Sequence, residues 1–218
     1  MGGITLERPW IEFDLGAEMQ VLSWAVNRPG LVAASRILWR EVRNSDLPPD
    51  LDVGAWFARE LAARGGADAV AFLTSRDVRR YCEAEATVEG ISAHAVATVG
   101  LSNAERIGSR MDYAGRSWGT INVALRLSQG LTCGGLTEAM SIAVQARTAA
   151  VMEAGITLPA GAATGTGTDC VAVAAPAGPN AYAGLHTATG EAIGRAVYQA
   201  VHTGALEWKT TNRRAAHA

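Results

Sequence analysis

Of the 19 basic residues in this 218-residue chain only Lys209 is a lysine, and the rest are scattered among 21 acidic residues for a net charge of −2. No basic stripe forms, which argues against a nucleic-acid partner. Cysteine is scarce as well: Cys82, Cys133 and Cys170 are an odd number at wide spacing without CxxC. They are expected to be reduced and structural, not a disulfide framework. No stretch reaches the roughly 18 apolar residues of a membrane helix. The opening MGGITLERPWIEFDL lacks a basic segment followed by an apolar core, so a cytoplasmic location is expected. Several reaction signatures are missing too. There is no HExxH or other metal-ligand spacing of histidines, no G-x-S-x-G elbow and no GxxxxGK[ST] phosphate loop. Internal repeats and low-complexity segments are absent.

What the chain does have is enough apolar character, 49%, for one well-buried core. WIEFDL, EMQVLSWAV and LVAASRILWREV read as strands, the last two separated by the turn Asn27-Arg28-Pro29-Gly30. From Asp52 a helix is expected, stopped by Gly65-Gly66. The strand DAVAFL runs into Thr74-Ser75-Arg76-Asp77, whose spacing fits a capping box at the start of another helix. AHAVATVGLSNA is a strand by composition. In WGTINVALRL alternation puts Ile121, Val123, Leu125 and Leu127 on one face and Thr120, Asn122, Ala124 and Arg126 on the other. A long helix is expected from Thr137 to Gly155, with Arg147 on the apolar stripe of Met140, Val144 and Val151. A last helix opens near Thr189, buries Ile193, Ala196, Val197, Ala200 and Val201, and closes at Gly204. The fold class read from this order is α+β or mixed α/β, a single domain over 1–208 with a mixed sheet packed by several helices. Residues 209–218 read as a disordered tail.

The most unusual stretch is AATGTGTDCVAVAA, residues 162–175, where three threonines and a carboxylate precede a small apolar strand. Gly165 and Gly167 leave the backbone free, and Thr164, Thr166, Thr168 and Asp169 make either a tight hydrogen-bonded turn or a ligand-facing loop. His186 stands just ahead of the last helix, where the dipole favours neutral imidazole. It can serve as a general base or merely tie its loop. Asp169 can brace its own loop or orient His186. Asn103 and Asn122 are ordinary turn and strand amides, or donors to an oxyanion. Arg147 either snorkels to water or reaches a polar cleft where an anionic group meets it. His94, on a strand face, reads as a satisfied core histidine.

The ordered segments VGLSNA, WGTINVAL, ATGTGTDCVAVA and YAGLHTATGEAIGRAV, with an Ala-rich helix between the second and third, resemble the adenosylcobinamide amidohydrolase family (CbiZ-type). The likeness runs from about Val21 to Val201. It departs at Asn27-Arg28-Pro29-Gly30, where the family often has a Gly-rich turn, and at Arg147, often a lysine. The resemblance implies hydrolysis of the amide joining the aminopropanol arm to the corrin ring, giving adenosylcobyric acid in corrinoid salvage. The partner implied is a small-molecule corrinoid, with no resident metal or cofactor, since the cobalt belongs to the substrate; a homo-oligomer is compatible with it.

Residue roles come from the chain's own chemistry. The leading expectation has His186 activating water, Asp169 orienting it and Asn103 or Asn122 stabilising the oxyanion. Substrate contacts are expected from Ser102, Thr120, Arg147, Thr164, Thr166 and Thr168. A covalent variant uses Thr166, Thr168 or Ser102 as nucleophile. The competing readings are a corrinoid carrier without catalysis and a nucleotide-binding protein that uses TGTGTD as its phosphate loop.

Overall fold

The computed structural model describes residues 3–112 and 118–215. In chain order the strands and helices are β1 (Ile4–Glu7), β2 (Trp10–Ser23), β3 (Gly30–Glu41), α1 (Val53–Arg64), β4 (Val70–Thr74), β5 (Cys82–Val88), β6 (Ile91–Val99), β7 (Ala104–Glu105), β8 (Ile121–Leu127), α2 (Cys133–Glu153), β9 (Thr157–Leu158), β10 (Gly161–Ala162), β11 (Gly165–Thr166), β12 (Cys170–Ala175) and α3 (Ala188–Ala215). Eight strands form one sheet in the order β4-β3-β2-β12-β8-β6-β5, with β1 added to β2. The pairs β3/β4 and β8/β12 are parallel and the others antiparallel. Each parallel pair is bridged by a helix, as a parallel crossover requires. This is the mixed sheet with helices that the sequence pattern leads one to expect.

Alternation places Ala93, Ala95, Ala97, Val99, Ile121, Val123, Leu125, Val171 and Val173 against α2 and α3, which cover one face. The other face is closed by the sheet itself. Between Asp14 and Met19 the β2/β3 register shifts, and Gly16 takes φ 79°, a left-handed conformation that glycine adopts without strain. Beyond this bulge the first half of β2 swings over β6 and β8, although β12 and β8 separate β2 from β6 in the sheet. Phe13 then meets the His94 ring edge-on at 4.9 Å, and Ile11, Phe13, Ile37 and Val70 bury Val96, Ala124 and Ala172. β8 is consequently buried on both faces.

Several expectations need correction. The capping-box reading of Thr74 to Asp77 yields only a single 3-10 turn, Val78–Arg80, capped by Asp77. The chain is needed at once for β5, whose hairpin with β6 turns through Glu89 and Gly90, both at positive φ. α2 begins at Cys133 with Thr132 as its N-cap, a turn earlier than Thr137. α3 does not close at Gly204 but continues to Ala215, so the expected tail from Lys209 is helical that far. Gly204 marks close packing instead of a stop: a Cβ there would stand 2.7 Å from Val99 Cγ2. Among the described residues no helix is long and apolar enough to cross a membrane.

Candidate active site

The N-terminal ends of β8 and β12 lie side by side, with Cys170 opposite Asn122. A strand pair that starts in register brings the preceding residues together as well, and here those are Gly119-Thr120 and Thr166 to Asp169. Thr120 Oγ1 donates to the Thr168 carbonyl at 2.7 Å, and Thr168 Oγ1 donates to the Gly119 carbonyl at 2.8 Å. The turn after β6 joins from the other side. Asn103 Nδ2 donates to Thr168 Oγ1 at 3.3 Å while its Oδ1 accepts from Gly119 N at 3.0 Å. Gly119 has to be glycine, since a Cβ would sit 2.7 Å from Ser102 N.

Asp169 is the hub. Its side chain is 7% exposed and its Oδ2 lies 2.8 Å from Arg147 Nη1. The same carboxylate accepts from Thr166 N at 3.0 Å, from Ile121 N at 3.2 Å, and from the Thr166 hydroxyl in a short bond to Oδ1. Arg147 Nη1 also donates to the Thr164 carbonyl at 2.8 Å. Thr164 ties β11 to β7: its hydroxyl accepts from Ile107 N at 2.8 Å. Trp24 Nε1 donates to the Asp169 carbonyl at 2.7 Å. Burial pushes the Asp169 carboxyl above its ordinary value, opposed by Arg147 and by the Thr166 and Ile121 donors. The alternation of threonine with glycine now has a physical reason. A Cβ on Gly165 would fall 2.1 Å from Arg147 Nη1 and 2.5 Å from Asp169 Oδ2, so only glycine lets the ion pair pass beneath β11. Gly167 faces open space.

This cluster forms one wall of an open cleft of about 730 Å3 lined by Glu105, Arg106, Arg110, Val144, Arg147, Thr148 and residues 164–167 with Asp169. The volume lies within the range of roughly 300–1,000 Å3 usual for ligand pockets. A second, smaller cavity of about 250 Å3 lies against the same segment and shares Thr120, Asn122 and Thr168.

Eight of the ten residues singled out from sequence therefore gather here: Asp169, Arg147, Asn103, Asn122, Thr120, Thr164, Thr166 and Thr168. Ser102 is half-buried in the adjoining turn and lines neither cavity. His186 is not part of it. β12 separates the two: Asp169 precedes this strand and His186 lies in the loop after it, and six residues span on the order of 20 Å at about 3.3 Å each. The His186 loop is tied to the opposite end of α2, where Ala183 N donates to Glu138, and the histidine itself is exposed. The expected Asp169–His186 contact is absent for this reason, and Arg147, Thr166 and Ile121 are the partners of the carboxylate instead.

The two asparagines are braces. Asn103 is 2% and Asn122 1% exposed, and Asn122 Nδ2 donates to the Leu73 carbonyl at 2.8 Å, so neither reaches a ligand in the larger cleft. His94 is held between Glu83 and Glu85, each 3.1 Å from a ring nitrogen. Burial pushes the Cys170 thiol up to about 12, which makes it unreactive near neutral pH. Arg106, Arg110 and Glu105, which sequence reasoning missed, reach the cleft through the β7 turn. Nothing local marks them out; only the pairing of β7 with β11 brings them there.

A family model described as adenosylcobinamide amidohydrolase (CbiZ) matches residues 3–213 of this chain. No curated protein matches it.

Proposed function

Since the chain belongs to the adenosylcobinamide amidohydrolase family, we propose that it hydrolyses the amide between the aminopropanol arm and the corrin ring of adenosylcobinamide, in the cytoplasm, with Thr166 as nucleophile. The observation that carries this reading is the Thr166 hydroxyl, on the wall of the large cleft, donating to the buried Asp169 carboxylate. A nucleophile and a proton acceptor within hydrogen-bond reach, with the acceptor fixed by a third group, form the recurring arrangement of acyl transfer. Arg147 is here the third group.

In this reading Thr166 Oγ1 attacks the amide carbonyl carbon as its proton passes to Asp169 Oδ1. Negative charge develops on the carbonyl oxygen, and the Arg147 guanidinium at the cleft wall is a cation placed to offset it. Collapse breaks the C–N bond, and the departing aminopropanol takes the proton back from Asp169. A water molecule then gives a proton to Asp169 and attacks the Thr166 ester, releasing adenosylcobyric acid and restoring the hydroxyl. The arginines and threonines among the cleft's lining residues suit the many carboxamides of a corrinoid, the arginines as donors to carbonyl oxygens.

The test compares Thr166→Val with Thr166→Ser on adenosylcobinamide, reading free aminopropanol. Thr166→Val is expected to lower kcat by at least about a thousandfold, in line with the loss of a nucleophile, and Thr166→Ser to retain measurable turnover. Hydroxylamine added during turnover is expected to trap the corrinoid as its hydroxamate. Corrinoid binding by the wild-type protein without release of aminopropanol would instead identify a carrier. Full activity in Thr166→Val would move the reaction to a directly activated water.

A further inference from the structure

The smaller cavity differs in chemistry from the cleft beside it. Val26, Val42, Leu47, Phe72 and Leu73 make its walls, and Gly119, Thr120, Asn122 and Thr168 make the end that faces the Asp169 cluster. The polar groups at that end are engaged with one another: Thr120 with Asn122 and Thr168, Asn122 with Leu73, Thr168 with Gly119. Among the described residues the cavity thus offers apolar surface without an unpaired charge. Two of its lining residues are large, apolar and turned to solvent, Val26 at 62% and Trp118 at 60% exposure. Trp24, 45% exposed, is held at the Asp169 carbonyl, beside the lining residue Cys170. Trp118 is tied through its backbone, whose carbonyl accepts from Ser75 Oγ at 3.0 Å. An indole held open beside an apolar hollow is a stacking platform for a flat heteroaromatic ring.

We propose that this cavity is the subsite for the adenine of the adenosyl group that the substrate carries on cobalt, with Trp118 stacking on the base. The inference rests on the function proposed above. Size selects the occupant: about 250 Å3 is below the range of whole drug-sized ligands, too small for a corrin and suitable for one bicyclic base. Position selects it too. Thr168 borders this cavity and Thr166 borders the cleft, two residues apart on one segment, so the cavity adjoins the stretch that carries the proposed nucleophile. The subsite makes the adenosyl group a specificity element that the reaction chemistry itself does not need.

The experiment measures kcat/KM for adenosylcobinamide and methylcobinamide with the wild-type protein, Trp118→Ala and Val26→Trp, the last filling the cavity mouth. The wild type is expected to prefer the adenosyl form, and the preference to fall about tenfold or more in both variants through a rise in KM, the scale of one lost base–aromatic stack. 5′-Deoxyadenosine is expected to inhibit wild type competitively. A wild type indifferent to the axial group, or a preference unchanged in both variants, overturns the subsite while leaving the hydrolase reading in place. If neither corrinoid is cleaved the hydrolase reading falls, and calorimetry with 5′-deoxyadenosine decides the subsite alone. Binding to wild type that is weakened in Trp118→Ala supports it; no binding to wild type refutes it.

Discussion

At the scale of single residues the site depends on an ion pair that is 12% and 7% exposed, and on the glycine that makes room for it. Arg147→Ala leaves Asp169 buried without its cation, a change that costs about 3–5 kcal/mol where buried pairs are broken on one side; urea unfolding measures it. Gly165→Ala is expected to disrupt the same pair from the other direction, because the added methyl cannot coexist with Nη1 in its present place. The ionisation of Asp169 carries two pH effects of opposite sign. As proton acceptor it must be ionised, so kcat/KM is expected to rise with pH along a limb above the ordinary carboxylate range, since burial raises the group. In Arg147→Ala, where the main opposing influence is gone, that limb should move higher still. For stability, a carboxyl raised in the folded state favours folding fully below its unfolded value, and this contribution is lost as pH rises through the folded value. Stability curves of wild type and Asp169→Asn against pH test the second effect, with the slope expected to be smaller in the variant.

At the scale of elements, local signals and tertiary packing divide the work unevenly. α1 is set locally: Asp52 accepts from Ala55 N at 2.9 Å and Gly65 ends the helix at φ 71°. Asp52→Ala is therefore expected to cost about 1 kcal/mol in thermal or urea unfolding, the usual value of an N-cap. α3 is set by packing. Its face of Ile193, Ala196, Val197, Ala200 and Val201 is buried as its periodicity indicates, but Gly204 was legible only as a stop signal, and in the fold it is a point where α3 packs tightly against Val99 of β6. Gly204→Val is expected to destabilise by about 1–3 kcal/mol, as overpacking does, and Val99→Ala in the same protein to recover part of the loss. β5 carries no apolar run because Cys82, Ala84, Ala86 and Val88 alternate with the exposed Glu83, Glu85 and Thr87.

At the scale of the whole molecule the curl of the sheet decides what the site contains. Asn122 belongs to the polar face of β8 in the linear pattern, yet it is buried because β4 folds over it and takes its amide. The parallel pairing of β8 and β12 gathers the polar residues at their N-terminal ends and carries the last loop, with His186, to the far end. His186→Ala is accordingly expected to keep kcat within about twofold of wild type, the size of a surface substitution remote from the chemistry, in the aminopropanol assay. A large loss would require His186 to reach the cleft in the working enzyme.

The amino-acid sequence by itself determined the strands and helices of alternating or 3.6-residue period, the cap and stop of α1, and the polar residues able to do chemistry. These are properties of short segments, set by side-chain period and backbone preference. It also marked the Thr-Gly stretch as unusual, because hydroxyls and a carboxylate ahead of a buried strand must find partners. Which partners they find was decided by the tertiary structure alone. Asp169 meets Arg147 and not His186 because α2 crosses from the end of β8 back to the start of β12, returning its C-terminal half to the edge where Asp169 lies. A contact between residues 22 positions apart across a helix, or 48 apart across a parallel strand pair, is fixed by strand order and register, and neither is encoded in any one segment.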